Sequence, residues 1–401
     1  MSLNEVVSAE RPHIAFFGLR NAGKSSLVNA VTGQSLAVVS EVKGTTTDPV
    51  RKAMELLPMG PVVIIDTPGL DDEGTLGELR VQKTREILAK TDIAVLVVDA
   101  ELGLGKLDRE LLALLQERGI PYVTAYNKAD LLDTPAQADE KSIYVSARTG
   151  EGVARLKDKL GSFTAKTSNP RKIVADLLSP GDLAVLVTPI DAAAPKGRMI
   201  LPQQQTMRDI LDAHCAFVTC QTEELDAALK ALAVKPRIVV TDSQAFEQVA
   251  KVTPPDILLT SFSILFARYK GSLPVLVQGA AQLARLKEGD PVLISEGCTH
   301  HRQCGDIGTV KLPGWIEKYT HVNPSYTFTS GGEFPENLEK YKLVVHCGGC
   351  MLNEAEMKSR VSRAKKAGVP IVNYGIAIAQ MQGILHRSLE AFPEILRLLE
   401  E

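Results

Sequence analysis

No cysteine occurs in the first 214 of the 401 residues, and the chain holds a single tryptophan and only 5% aromatic side chains. Without thiols, that stretch supports neither a disulfide framework nor a thiolate metal site. An excess of charge of either sign is also missing. The 45 basic and 48 acidic residues leave a net charge of −3, which argues against a broadly basic nucleic-acid binder. No run approaches the ~18 unbroken apolar residues of a membrane span. The acidic opening MSLNEVVSAE lacks the basic and apolar regions of a signal peptide. The expectation is a cytoplasmic location with no membrane or nucleic-acid partner.

What is present is an ordinary globular composition, 45% hydrophobic, long enough for two to four domains at about 100–200 residues each. From 11 to 160 short apolar runs (HIAFFG, VVIIDTPG, DIAVLVVDA, IPYVTAYNKAD) alternate with amphipathic stretches such as LDRELLALLQERG. That alternation predicts a parallel sheet covered by helices on both faces. GSFTAKTSNPRK at 161–172 is polar, contains Gly, Pro and Ser, and reads as a linker, so a first domain spans 1–165. A second α/β unit is expected over 170–265 and a third over 266–401.

Gly18-Leu19-Arg20-Asn21-Ala22-Gly23-Lys24-Ser25 fits G-x-x-x-x-G-K-[ST] between a strand and a helix. In such a loop the backbone N–H groups, here those of Gly18 and of Asn21 through Ser26, cradle phosphates at a helix N-terminus. Lys24 reaches the β- and γ-phosphates and Ser25 coordinates Mg2+. Asp66-Thr67-Pro68-Gly69 closes another strand, with Asp66 near the metal and the Gly69 amide near the γ-phosphate. Asn127-Lys128-Ala129-Asp130 places the Asp130 carboxylate where it can accept two hydrogen bonds from guanine, a donor pair that adenine lacks. Ser146 and Ala147 close a further strand, where a backbone amide can meet guanine O6.

Together these segments resemble the translation-factor-related GTPases, and in detail the Era, MnmE and EngA group. Gly44-Thr45-Thr46-Thr47-Asp48 is similar to that group's switch I. The resemblance implies that Thr46 joins Mg2+ and the γ-phosphate, although Thr45 and Thr47 remain alternatives. Leu70 stands where Ras-like enzymes carry the Gln that orients water. In MnmE-like GTPases an Asn at the position of Asn21 binds K+. The resemblance thus implies slow, K+-stimulated GTP hydrolysis to GDP, with Lys24, Thr46 and Gly69 as catalytic groups.

All six cysteines lie late, at Cys215, Cys220, Cys298, Cys304, Cys347 and Cys350. Cys298-Thr299-His300 precedes His346-Cys347-Gly348-Gly349-Cys350, a C-x-H…H-C-x-x-C pattern with its second part at the end of strand LVV. From residue types alone, structural zinc, an iron–sulfur cluster and a redox disulfide all stay open. Cys215 and Cys220 flank an apolar strand and read as small hydrophobes, and Cys304 lies outside the motif. His13, His214, His321 and His386 have no partner pattern, and KSRVSRAKK at 358–366 reads as a solvated helix face.

The GTPase motifs joined to this Cys/His pattern, with DAAAPKGRMILPQQQTMRDILDAH at 191–214 between them, resemble the HydF family of FeFe-hydrogenase maturation over essentially the whole chain. That resemblance implies a homodimeric scaffold with a 4Fe–4S cluster on Cys298, Cys347 and Cys350. The fourth iron would be open or held by His300, His346 or Glu296. A diiron precursor of the H-cluster would come from radical-SAM maturases and pass to apo-FeFe-hydrogenase. The expected fold class is therefore α/β: an N-terminal P-loop GTPase domain, then two smaller α/β domains, the last carrying a Cys/His metallocluster site. The alternative is an RNA-modifying or ribosome-assembly GTPase with a structural zinc.

Overall fold

The computed structural model describes residues 11–34, 50–68, 84–133, 139–167, 172–190, 199–270, 272–297 and 306–400. The chain divides into two compact units, Met1–Pro170 and Arg171–Glu401.

The first unit is built on a sheet of β1 (His13–Gly18), β2 (Val50–Leu56), β3 (Gly60–Asp66), β4 (Ile93–Asp99), β5 (Tyr122–Asn127) and β6 (Ser142–Tyr144). Its order is β2-β3-β1-β4-β5-β6, with only β2 antiparallel to its neighbour. Successive residues of a strand point to opposite faces, so β1 feeds two cores. Ile14 and Phe16 pack with Leu27, Val28 and Val31 of α1 (Lys24–Thr32) and with Leu156 and Leu160 of α3 (Val153–Thr167). Ala15 and Phe17 pack on the other side with Leu111 and Leu115 of α2 (Lys106–Glu117).

Residues 161–167, expected as linker, instead form the last turns of α3. Leu156, Leu160 and Phe163 recur at helical spacing against the sheet, and Gly161 lets Pro58 approach, since a Cβ there would sit 2.9 Å from its Cγ. The polar residues that suggest a linker are compatible with the outer side of an amphipathic helix.

The second unit carries two parallel four-stranded sheets. One has the order β10-β9-β7-β8, from β7 (Leu183–Val187), β8 (Ala216–Cys220), β9 (Ile238–Thr241) and β10 (Leu258–Ser261). The other has the order β12-β11-β13-β14, from β11 (Pro291–Ser295), β12 (Ser325–Thr329), β13 (Leu343–His346) and β14 (Ile371–Asn373). A single hydrophobic core runs through both. Between them lies α4 (Phe262–Tyr269), whose Phe262, Leu265 and Phe266 join that core. In the last sheet Ser295 pairs with both Thr329 and His346, and His346 pairs with Asn373. The strands end level, and residues just after them gather along one sheet edge, where open α/β sheets place their ligands.

Candidate functional site

The phosphate loop leaves β1 at Gly18, where a Cβ would lie 2.4 Å from the carbonyl oxygen of Val97. It turns through Asn21 (φ 62°) and Gly23 (φ 79°), left-handed conformations that Asn and Gly tolerate best. Gly23 also caps α1, so the loop's N–H groups sit at the positive end of a helix dipole.

Two residues into the helix, Ser25 Oγ donates to Asp66 Oδ2 at 2.9 Å. Lys24 Nζ lies 3.9 Å from Asp66 Oδ1. That Oδ1 is buried and has no hydrogen-bond partner among the described residues. Burial pushes the Asp66 carboxyl up from its ordinary 3.8, and the Lys24 charge and the Ser25 hydrogen bond pull it only part of the way back. A buried oxygen without a donor, beside a hydroxyl and an ammonium, suits a hard divalent cation such as Mg2+.

Asn127 ties the base-reading loops to the phosphate loop. Its Nδ2 donates to Ala22 O at 3.0 Å, and its Oδ1 accepts the Ala147 N–H at 3.0 Å. Gly23 has no room for a side chain because a Cβ would meet that Nδ2 at 2.3 Å. Lys128 (φ 64°) pairs with Asp99 at 2.6 Å, Ser146 is buried, and Asp130 stands exposed beyond β5. Ser26 follows within α1. Thr46, Gly69 and Leu70 lie outside the described residues.

The second constellation sits at the level ends of the last sheet. Cys347 follows β13 directly, and its Sγ accepts the N–H of Gly297 at 3.0 Å and of Gly349 at 3.3 Å. Two backbone N–H groups thus converge on one sulfur. The thiol of Cys350 is shielded, and that desolvation, reinforced by Cys347, pushes it up while Lys270 pulls it down. Lys270 caps α4 and is itself buried, and its Nζ donates to the carbonyls of Gly349 and Leu352, the latter at 2.9 Å.

Glu296 is also buried, and the Tyr374 hydroxyl donates to its Oε1 at 3.4 Å. Burial, Cys347 and Glu296 hold that phenol firmly protonated. Gly308 is small because a Cβ there would fall 2.4 Å from Glu296 Oε1 and 2.5 Å from the Tyr374 oxygen.

His346, expected as one of three possible fourth ligands, faces elsewhere. The ring is fully buried, Nδ1 lies 2.7 Å from the Cys347 carbonyl, and Nε2 lies 3.0 Å from Arg360 Nη1. A carbonyl only accepts and a guanidinium only donates, so Nδ1 carries the proton and Nε2 spends its lone pair on Arg360. No lone pair remains for a metal.

Arg360 in turn contacts Glu356 at 2.8 Å and Gly331 O at 2.6 Å, with its guanidinium 5.2 Å from the Phe334 ring centroid. Arg363 reaches the carbonyls of Phe334 and Pro335. The helix Glu354–Lys366 therefore turns part of its basic run inward, against the expectation of a solvated face. The arginines sit at i and i+3, the spacing of one helix side.

Cys298, His300 and Cys304 lie outside the described residues. Among the described residues no group of three His, Cys, Asp or Glu converges on a point that could hold a metal. Cys347 and Cys350 follow the end of β13, and the buried Glu296 follows the end of the neighbouring β11. Cys215 donates to Ser179 O at 3.1 Å, and Cys220 ends the edge strand β8 with its thiol pushed up by burial and Glu224. His214 and His321 adopt φ 58°, His321 as the cap of a helix. Sequence reasoning misses Lys270, Tyr374, Gly308 and Arg360. The one available signal is a lysine closing the apolar run FSILFARY.

Residues 13–128 match the 50S ribosome-binding GTPase model, 173–271 the hydrogen maturase F dimerization domain and 274–391 the hydrogen maturase F tetramerization domain. The two maturase F models together take in more than half of the chain. The chain belongs to the hydrogen maturase F family.

The curated relatives of this maturase F chain match only the first unit. The tRNA modification GTPase MnmE of Thiobacillus denitrificans is 35% identical over 166 residues, 38% of this chain and 36% of that protein. The MnmE of Legionella pneumophila is 39% identical over 155 residues, covering 38% and 34%. GTPase Der of Kosmotoga olearia is 34% identical over 166 residues, covering 37% of each. The chain thus spans about a third of the length of these relatives. Among solved structures, a variant of Aquifex aeolicus Era bound to GDP.AlF4- is 18% identical with a TM-score of 0.34, covering 60% of this chain and 97% of that one. A probable GTP-binding protein engB is 24% identical with a TM-score of 0.32, covering 38% and 99%. No helix among the described residues is long and apolar enough to cross a membrane.

Proposed function

We propose that the chain is a GTP-hydrolysing scaffold of FeFe-hydrogenase maturation. On this reading it holds a 4Fe–4S cluster on Cys298, Cys347 and Cys350, receives a diiron precursor from radical-SAM maturases and delivers it to apo-hydrogenase. The observation that carries the reading is the Cys347 sulfur held by two backbone N–H groups beside a buried carboxylate, in a chain that also bears a phosphate loop and a guanine-reading Asp130. With His346 committed to Arg360, the fourth position falls to Glu296, His300 or an exchangeable ligand. The maturase F models are named for dimerization and tetramerization, which supports a homo-oligomer built on a dimer. The expected setting is cytoplasmic, without nucleic acid.

In the GTPase unit the loop N–H groups and Lys24 bind the β- and γ-phosphates, where binding energy is well used because charge builds up there in phosphoryl transfer. Ser25 and Asp66 would hold Mg2+, which would supply charge neutralisation at the phosphates. Thr46 and Gly69 would meet the γ-phosphate, and Asn21 would hold K+, supplying charge in the place of an arginine finger. Leu70 cannot orient water, so turnover is slow and rises with K+. Equal rates in K+ and Na+ buffers would refute that part. In the cluster unit Cys298, Cys347 and Cys350, deprotonated to thiolates, would hold iron, and the Tyr374 hydroxyl orients Glu296 by donating to it.

The test is anaerobic reconstitution with iron and sulfide, followed by EPR of the reduced protein and of the Cys298→Ala, Cys347→Ala and Cys350→Ala variants. A cubane spectrum lost in each variant is expected. Tight stoichiometric zinc with no iron signal overturns the cluster reading.

A further inference from the structure

Lys270 is the final cap of α4, and residue 271 ends the stretch matched by the dimerization-domain model. It is a lysine only 8% exposed, at the end of an apolar helix whose Phe262, Ile264, Leu265, Phe266 and Ala267 fill the core. Its ammonium donates to Gly349 O and Leu352 O, and both acceptors belong to the loop that carries Cys347 and Cys350. The cation is therefore anchored from the sheet of β7 to β10 onto the sulfur-bearing turn of the next sheet. Burying an ammonium is expensive, so a lysine kept in such a place must be held by specific partners. Here two of those partners are peptide groups of the cysteine loop.

We propose that Lys270 is a positioning residue for the Cys347/Cys350 loop, fixing its two carbonyls and placing a positive charge within the turn that carries the two cysteines. The proposal rests on the cluster reading above. Carbonyl dipoles aimed at an ammonium orient the Gly349 and Leu352 peptides, and the Gly349 N–H is one of the two that hold the Cys347 sulfur. A thiolate-bound cluster gains negative charge on reduction, and a nearby buried cation favours that reduced state. The structure thus gives the dimerization part of the chain a direct electrostatic hold on the redox poise of the cluster part.

Three variants separate charge from geometry. Lys270→Arg keeps charge and donors, Lys270→Gln keeps a donor without charge, and Lys270→Met keeps neither. The full-length protein, reconstituted anaerobically, is measured for iron and sulfide content and for midpoint potential by EPR-monitored redox titration. The expected result is a potential retained in the Arg variant and lowered in both Gln and Met. The drop corresponds to at least a tenfold loss in the reduced-to-oxidised ratio at fixed potential, about 59 mV for one electron. Equal potentials in all four proteins overturn the proposal, as does a drop in Met alone with Gln unchanged, which would mark a purely structural tie. If a neutral variant takes up no iron while Lys270→Arg does, the comparison of Gln with Met in uptake decides between charge and geometry in the same way. Failure of the wild-type protein itself to take up iron would refute the cluster reading instead.

Discussion

Arg360→Met removes one half of a buried ion pair whose side chains are 3% and 9% exposed, and it leaves Glu356 behind in a site closed to water. It also strips a donor from His346 Nε2 and another from Gly331 O, and removes one of the two guanidinium groups over Phe334. Taking one partner from a buried pair costs about 3–5 kcal/mol, because the remaining charge stays desolvated after losing that partner. At a urea m-value of about 2.5 kcal/mol/M for a unit of this size, the unfolding midpoint should fall by about 1–2 M. The chain supplies its own probe. Its single tryptophan, Trp315, packs against the core of the second unit, so tryptophan fluorescence reports this unit alone. Replacing both charges, as in Glu356→Leu with Arg360→Met, removes the carboxylate that the single variant leaves buried and should recover at least half of the loss. A midpoint within about 0.3 M of wild type in the single variant, or a double variant no better than the single, would refute the reasoning.

Asp66→Asn has opposite effects on stability and turnover. The folded-state carboxyl titrates above its ordinary 3.8, so between the two values the native state binds more protons than the unfolded one, and stability falls as pH rises through that window. In calorimetry without nucleotide or Mg2+, the variant should lose this decline and unfold at a higher temperature than wild type at pH 7. Its GTP turnover should fall by about a hundredfold or more if Asp66 holds Mg2+ as proposed, because the amide lacks the carboxylate's charge and one of its oxygens. Asn127→Ala cuts the link from Ala22 to Ala147 at both ends, two hydrogen bonds worth about 1 kcal/mol each, so fluorescent GDP should dissociate about tenfold faster or more. An unchanged release rate would show that the two loops are positioned independently.

Much of the first unit is legible because its chemistry is written in contiguous words. A phosphate loop must leave a strand and open a helix, and each guanine-reading segment must close a strand, so the motifs locate the elements as well as the ligand. The end of α3 reads as a linker because its apolar residues are sparse, and only the sheet beneath them shows that Leu156, Leu160 and Phe163 are enough. In the second unit the cysteine pair is legible, but its surroundings are not. Lys270 lies 79 residues from Gly349, and Tyr374 lies 78 residues from Glu296. Such partners meet only once β11, β13 and β14 are in register. His346 shows the converse: its place in the motif suggests a ligand, and a remote arginine takes its lone pair.

The donors that hold the Cys347 sulfur belong to peptide groups, so no side-chain deletion removes them. An alanine scan of this region would pass over them and register only the collateral effects of crowding. At Gly297 an added methyl would meet Leu352 at 2.7 Å, and at Gly349 (φ 61°) it would meet Met357 Sδ at 2.4 Å. The information in these two positions is a space kept clear so that the chain can bend close to a thiol. Transplanting the site into another scaffold would therefore mean copying a path of main chain, with the cysteines as its most visible and most portable part.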